Sequence, residues 1–99
     1  MIMVDELRSW PQRVTGHAGR IFGNGKESCH LSTDGDEEGL HAFAKRLGMR
    51  RSWYQEHLIM SHYDLTPRRR ELALKLGAVF VSAMDRAYLV DAHNERTAP

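Results

Sequence analysis

The sequence predicts an α/β domain: one small sheet of three or four strands, two main helices and a short third helix near the C-terminus. Three observations carry this. Two amphipathic stretches, 33–48 and 66–77, each open on a capping residue and close on a glycine. Apolar runs of strand length at 1–4 and 78–82, and a weaker strand candidate at 28–32, lie outside them. The 99 residues, 41% hydrophobic and 27% charged, suit a single soluble domain with one modest core and no need of a disulfide framework.

Met1 to Val4 is the first strand, ended by Asp5 and Glu6. Pro11 excludes a central strand at Trp10-Pro11, because it has no N–H to give to a ladder. Gly16, Gly19, Gly23 and Gly25 then punctuate a segment that reads as a loop or loose hairpin around Arg20-Ile21-Phe22. Ser28 to Ser32 is the second strand. Thr33 or Asp34 caps the first main helix, and Asp36, Glu37 and Glu38 fill its first turn, where the positive end of the helix dipole favours acids. Leu40, Phe43, Ala44 and Leu47 recur at i, i+3, i+4, i+7, and Gly48 stops the helix behind Lys45 and Arg46.

Trp53-Tyr54-Gln55 fits either a short strand or a turn. Thr66 caps the second helix with Pro67 at the first helical position, Leu72, Ala73 and Leu76 form its apolar face, and Gly77 ends it. Ala78 to Ser82 is the strongest strand signal, and a short helix from about Ala83 to Asp91 follows it. Residues 1–92 are expected to form the domain and 93–99 a frayed polar tail. The expected core unites Leu40, Phe43, Leu47, Leu72, Leu76, Val79 and Val81.

Charge and composition exclude several classes of partner. A formal net charge of +1 gives no bulk attraction to nucleic acid or to a membrane surface. No extended basic face with interleaved aromatics emerges, so nucleic acid is a poor fit. No apolar run approaches the ~20 residues of a bilayer span, and Asp5 interrupts the first apolar run too early for a signal peptide. Cys29 is the only cysteine, which fits a reducing compartment and reads as a small buried hydrophobe. A cytoplasmic protein is expected.

The chemistry concentrates around the start of the second helix. His62, Tyr63 and Asp64 precede Thr66, and Arg68, Arg69 and Arg70 follow it, where a helix dipole disfavours cations. An anion held by the amides after Thr66 and by Arg68 or Arg69 makes that arrangement useful. The alternative is a solvated basic turn balanced by Asp64 or Glu71. Asp5, His30, Asp34, His62 and Asp64 all end or follow short extended pieces, and in a small sheet such residues can converge for metal binding or acid–base work. Against this, Asp34 and Asp64 also serve as caps, His30 as a core residue, and no compact metal-ligand motif is present. Trp53 and Tyr63 offer planar surfaces, for a ring or for the core.

Val4-Asp5, Ser28-Cys29-His30-Leu31, Leu40-His41-Ala42-Phe43-Ala44, Leu47-Gly48, Arg51-Ser52-Trp53-Tyr54-Gln55, His62-Tyr63-Asp64-Leu65 and Gly77-Ala78-Val79 occur in an order that resembles a bacterial and phage family known as domain of unknown function 4031. The resemblance runs from Met3 to about Val81. It implies a small stand-alone cytoplasmic or phage-encoded domain and draws attention to Asp5, His30, Trp53, Gln55, His62, Tyr63 and Asp64. The chain departs from the family pattern at Gly39, where an acid is expected, and in a glycine-bearing insert before Ser28.

The leading expectation is a binding domain that senses or sequesters a small anionic, phosphorylated or nucleotide-like ligand. Asp5, His30, Trp53, Gln55, His62, Tyr63, Asp64, Thr66, Arg68 and Arg69 would line its site. The rival is a small hydrolase with His62 as general base and Asp64 and Asp5 as orienters or metal ligands. A third class is an interaction module, a homodimer formed through residues 53–60. The sequence names no cofactor.

Overall fold

The computed structural model describes residues 1–9, 27–57 and 60–89. The glycine-bearing loop, the apolar pair Leu58-Ile59 and the C-terminal tail lie outside the described residues. The elements are β1 (Ile2–Val4), β2 (Arg8–Ser9), β3 (Glu27–Thr33), α1 (Glu37–Arg46), a 3₁₀ turn (Arg51–Trp53), β4 (Tyr63–Leu65), α2 (Pro67–Lys75) and β5 (Val79–Phe80). Residues 83–89 form a further helix, α3. The α/β class is as expected, with one more strand than the upper expectation: the sheet has five.

β3 is the centre of that sheet. On one edge it pairs antiparallel with β4, Cys29 opposite Leu65 and Leu31 opposite Tyr63. On the other it pairs antiparallel with β1, then with β2. β5 joins the far edge of β1 in parallel, and α2 is the crossover that carries the chain from β4 to β5. Between the pairs Val4–Leu31 and Arg8–Ser28, three residues (Asp5, Glu6, Leu7) face two (Cys29, His30). This one-residue excess is a β-bulge, a device that bends a strand and re-aims a side chain.

Side-chain alternation divides the sheet into two unlike faces. Val4, Cys29, Leu31, Tyr63 and Leu65 point to one, where they pack with Leu40, Phe43, Ala44 and Leu47 of α1 and Ala73 of α2. Burial raises the Cys29 thiol to about 12, so it stays a protonated, unreactive core residue. Ser28, His30, Ser32 and Asp64 belong to the other face. Leu72 and Val79 were expected in the core but are 40% and 47% exposed. α2 meets the sheet through little more than Ala73, and β5 is an edge strand of two residues.

The caps refine the sequence reading. α1 is capped by Asp36, whose Oδ1 accepts the Gly39 N–H at 2.9 Å; Thr33 Oγ1 instead accepts from the backbone N–H of Gly35 and Asp36. Thr66 caps α2 as expected, accepting the Arg69 N–H. Gly48 and Gly77 end the two helices at φ +78° and +110°, a region costly for residues with a side chain.

Gly39 has a different reason. A Cβ there would lie 2.7 Å from Asp36 Cγ, in the space the capping carboxylate occupies. Gly→Ala in a helix ordinarily gains about 1 kcal/mol, and loss of an N-cap costs about the same. Gly39→Ala is therefore expected to leave stability nearly unchanged, whereas in an Asp36→Ala background the same substitution gains its full ~1 kcal/mol. Urea denaturation of the double-mutant cycle measures this; additive effects would refute the steric account.

Candidate functional site

The polar face of the sheet gathers its side chains by register. β3 and β4 set His30 directly opposite Asp64, and alternation puts His62 on the same face as Asp64. His62 is in turn paired with Gln55 by two backbone hydrogen bonds, 2.8 and 3.0 Å. Asp5 enters from the opposite edge of β3, turned inward by the bulge. The cluster forms in the middle of the sheet rather than at a crevice beyond strand ends, because neighbouring antiparallel strands bring residues together wherever the register pairs them.

Asp5 is almost wholly buried, with 1% exposure. Its Oδ1 accepts the backbone N–H of His30 at 2.6 Å, and its Oδ2 lies 2.8 Å from His30 Nδ1. Arg86, equally buried on α3, brings Nη1 to 3.6 Å from the same Oδ2. Burial alone would raise the Asp5 pKa. The hydrogen bonds from the His30 ring and backbone, with the charges of His30 and Arg86, outweigh it and hold the carboxyl below its ordinary value.

The two imidazoles are oriented alike. His30 Nδ1–H donates to Asp5, and His62 Nδ1–H donates to the Met60 carbonyl at 2.9 Å. Each ring therefore turns its other nitrogen, Nε2, towards Asp64. Burial pushes the His62 pKa down and the nearby His30 adds to this, which favours the neutral ring. The rings meet edge-on with centroids 4.4 Å apart. Both Nε2 atoms face Asp64 Oδ1, at 3.8 Å from His30 and 3.5 Å from His62. Gln55 Nε2–H donates to the other oxygen of Asp64, Oδ2.

These three donor atoms lie within 4.8 Å of one another. Ligands on a common ion at ~2.1 Å sit about 3.0–3.4 Å apart, so small side-chain rotations close the set. Two imidazoles and one carboxylate, each held by an outer partner, are a set that could hold a metal ion. It is the only such group among the described residues. Side-chain exposures of 16–22% leave one side of it open to solvent.

A family model described as "Protein of unknown function (DUF4031)" matches residues 18–93. The chain belongs to this family. The match to DUF4031 spans His30, Gln55, His62, Asp64 and Arg86, and begins beyond Asp5. No curated protein and no solved structure matches this DUF4031 chain. No helix among the described residues is long and apolar enough to cross a membrane.

Of the residues singled out from sequence, the fold of this DUF4031 domain brings together Asp5, His30, Gln55, His62 and Asp64. It places the rest elsewhere. Tyr63 is buried on the helical face, its hydroxyl hydrogen-bonded to His41 Nδ1 at 2.7 Å, away from the histidine pair. Trp53 packs against the core beneath Arg69, whose guanidinium lies 5.5 Å from its ring centroid. Asp34 pairs with the N-terminal amine of Met1.

Arg69 and Arg70 of α2 act as structural clamps. Arg69 Nε donates to the carbonyl of Leu47, the C-cap of α1, and Arg70 Nε donates to the carbonyl of Asp5. The charge that opposes the dipole of α2 thus answers the negative end of α1. Arg68 stays exposed beside Thr66, Glu71 and Lys75 in an open surface cavity of about 560 Å³, on the side of the sheet away from the histidines.

Arg86 and the Met60 carbonyl escaped the sequence reading. Arg86 left a faint signal: it sits one position before Ala87 and three after Ala83, on the inward stripe of its helix. Asp5→Ala removes the partner of a buried arginine and of the His30 N–H groups, and is expected to cost about 3–5 kcal/mol. Asp5→Asn, which keeps an acceptor, should cost less. Equilibrium urea unfolding measures both; equal losses would refute a role for the hydrogen-bond acceptor apart from the charge.

Proposed function

We propose that this domain is a metal-dependent hydrolase acting on a small anionic substrate, with His30 Nε2, His62 Nε2 and Asp64 Oδ1 as the ligands of a divalent ion. The convergence of three donors, each already oriented by an outer partner, is the observation that carries this reading. In such a set the imidazoles add no charge and Asp64 adds one negative charge, so an ion of charge +2 keeps a net attraction for an anion. The Asp5–Arg86 pair is internally balanced and leaves that attraction in place.

A divalent ion held by His30, His62 and Asp64 would supply a water of lowered pKa and a positive charge for a substrate oxyanion. The chain supplies position. Asp5 fixes the tautomer and angle of His30, as an outer carboxylate does for a ligating histidine. The Met60 carbonyl does the same for His62. With His62 committed through Nε2, its role is ligation rather than free general base. The anionic ligand expected from the arginine-rich helix start is served better here than at Arg69, whose Nε is engaged by Leu47. Sensing or sequestration of the same anion without turnover is the neighbouring reading, and it uses the same site.

Three measurements test the proposal. Protein stripped with chelator should bind Zn²⁺, Co²⁺ or Mn²⁺ at one equivalent by calorimetry. A ligand at a hundredfold excess over Kd should add about 2.7 kcal/mol of stability, read as a rise in Tm. His62→Ala and Asp64→Ala should each abolish both effects. Hydrolysis of a panel of phosphomonoesters, phosphodiesters and carboxylate esters should then depend on the added ion. Absence of metal binding by the unmodified protein would overturn the proposal, and metal binding without turnover would leave the sequestering reading in its place.

A further inference from the structure

We infer that Gln55 is the residue that sets which ion the site accepts, by holding Asp64 to a single coordinating oxygen. The inference rests on the proposed metal site and deepens it. An ionised carboxylate only accepts hydrogen bonds, so it is the amide Nε2–H₂ of Gln55 that faces Asp64 Oδ2. The oxygen so engaged is the one turned away from both imidazoles; Oδ1 is the one that faces them. That hydrogen bond competes with any second coordinate bond through Oδ2 and favours coordination through Oδ1.

Gln55 is itself fixed from several sides. Its N–H and C=O bridge to His62. Tyr54, the residue before it, donates its hydroxyl to Glu37 of α1. Ser61 closes the connecting segment, accepting the His57 N–H and donating to the His57 carbonyl. The backbone of Gln55 therefore rides on the same strand pair that carries a proposed ligand, and from there its amide reaches Asp64 Oδ2.

The consequence is ion selectivity. Calcium takes about 6–8 oxygen ligands, often with bidentate carboxylates, and magnesium prefers oxygen and water. Two imidazole nitrogens and one monodentate oxygen instead suit the borderline ions, zinc and cobalt among them, with water or substrate completing the sphere. Releasing Oδ2 would let Asp64 chelate and raise the coordination number.

Cobalt substitution reads this directly, because the visible absorption of Co²⁺ weakens as coordination rises from four towards six. Wild-type protein should bind Co²⁺ and Zn²⁺ in preference to Mg²⁺ and Ca²⁺, with an intense visible cobalt band. Gln55→Ala should keep the fold, weaken that band and lower Zn²⁺ affinity by about 10–100-fold, as outer-shell substitutions do. Gln55→Glu adds an oxygen donor and should move the Mn²⁺:Zn²⁺ affinity ratio towards Mn²⁺ by about tenfold. A cobalt spectrum and affinities unchanged in both variants would overturn the inference while leaving the metal site standing. No metal bound by the wild-type protein would overturn the metal site, and the inference with it.

Discussion

A single buried carboxylate organises this domain. Asp5 is withdrawn from water, and an isolated charge in that position would be strongly unfavourable. Its compensation comes from different parts of the chain: the backbone and ring of His30 on β3, and the guanidinium of Arg86 on α3. Its own carbonyl receives Arg70 of α2. The bulge exists at the same point, between β1 and β2, and turns the carboxylate inward. One residue thus ties the sheet to both C-terminal helices and, through His30, sets the geometry of the polar face.

The two faces of the sheet divide stability from chemistry. The face towards α1 and α2 carries the aliphatic core and Tyr63. The other carries titratable groups whose positions are dictated by strand register. Side chains on adjacent strands are held more closely than side chains on loops. Asp64 is positioned by β4, His62 by the strand pair just before it, and His30 by the long strand between two neighbours. Arg69 and Arg70 couple α2 to α1 and to the bulge.

The sequence reading was most accurate where the signal was local. Both main helices, the Thr66 cap, the Gly48 and Gly77 stops and the strands at either end follow from patterns a few residues long. Leu72 and Val79 misled because apolar character marks a residue as able to be buried, while β5 was left at an edge. The arginine run misled for a related reason. The dipole of its own helix was visible in the sequence, but the C-terminus of α1 that Arg69 meets was not. Asp5, His30, Gln55, His62 and Asp64 were each picked out, yet their union depends on a register set by a bulge and a bridge, which no local pattern encodes. The Met60 carbonyl emerges only from the tertiary arrangement, and Arg86 left no more than its place on the inward stripe of its helix.

The central place of β3 has a consequence for how the chain reaches this state. His30 is separated from His62 and Asp64 by the whole of α1 and the 3₁₀ turn, and from Asp5 by the segment before β3. Bringing them together means closing long loops, an entropic cost met only once the strands pair. The polar cluster therefore cannot nucleate folding in the way a compact metal knuckle does. It requires β1 and β4 both to be paired with β3, so the site and the sheet stand or fall together.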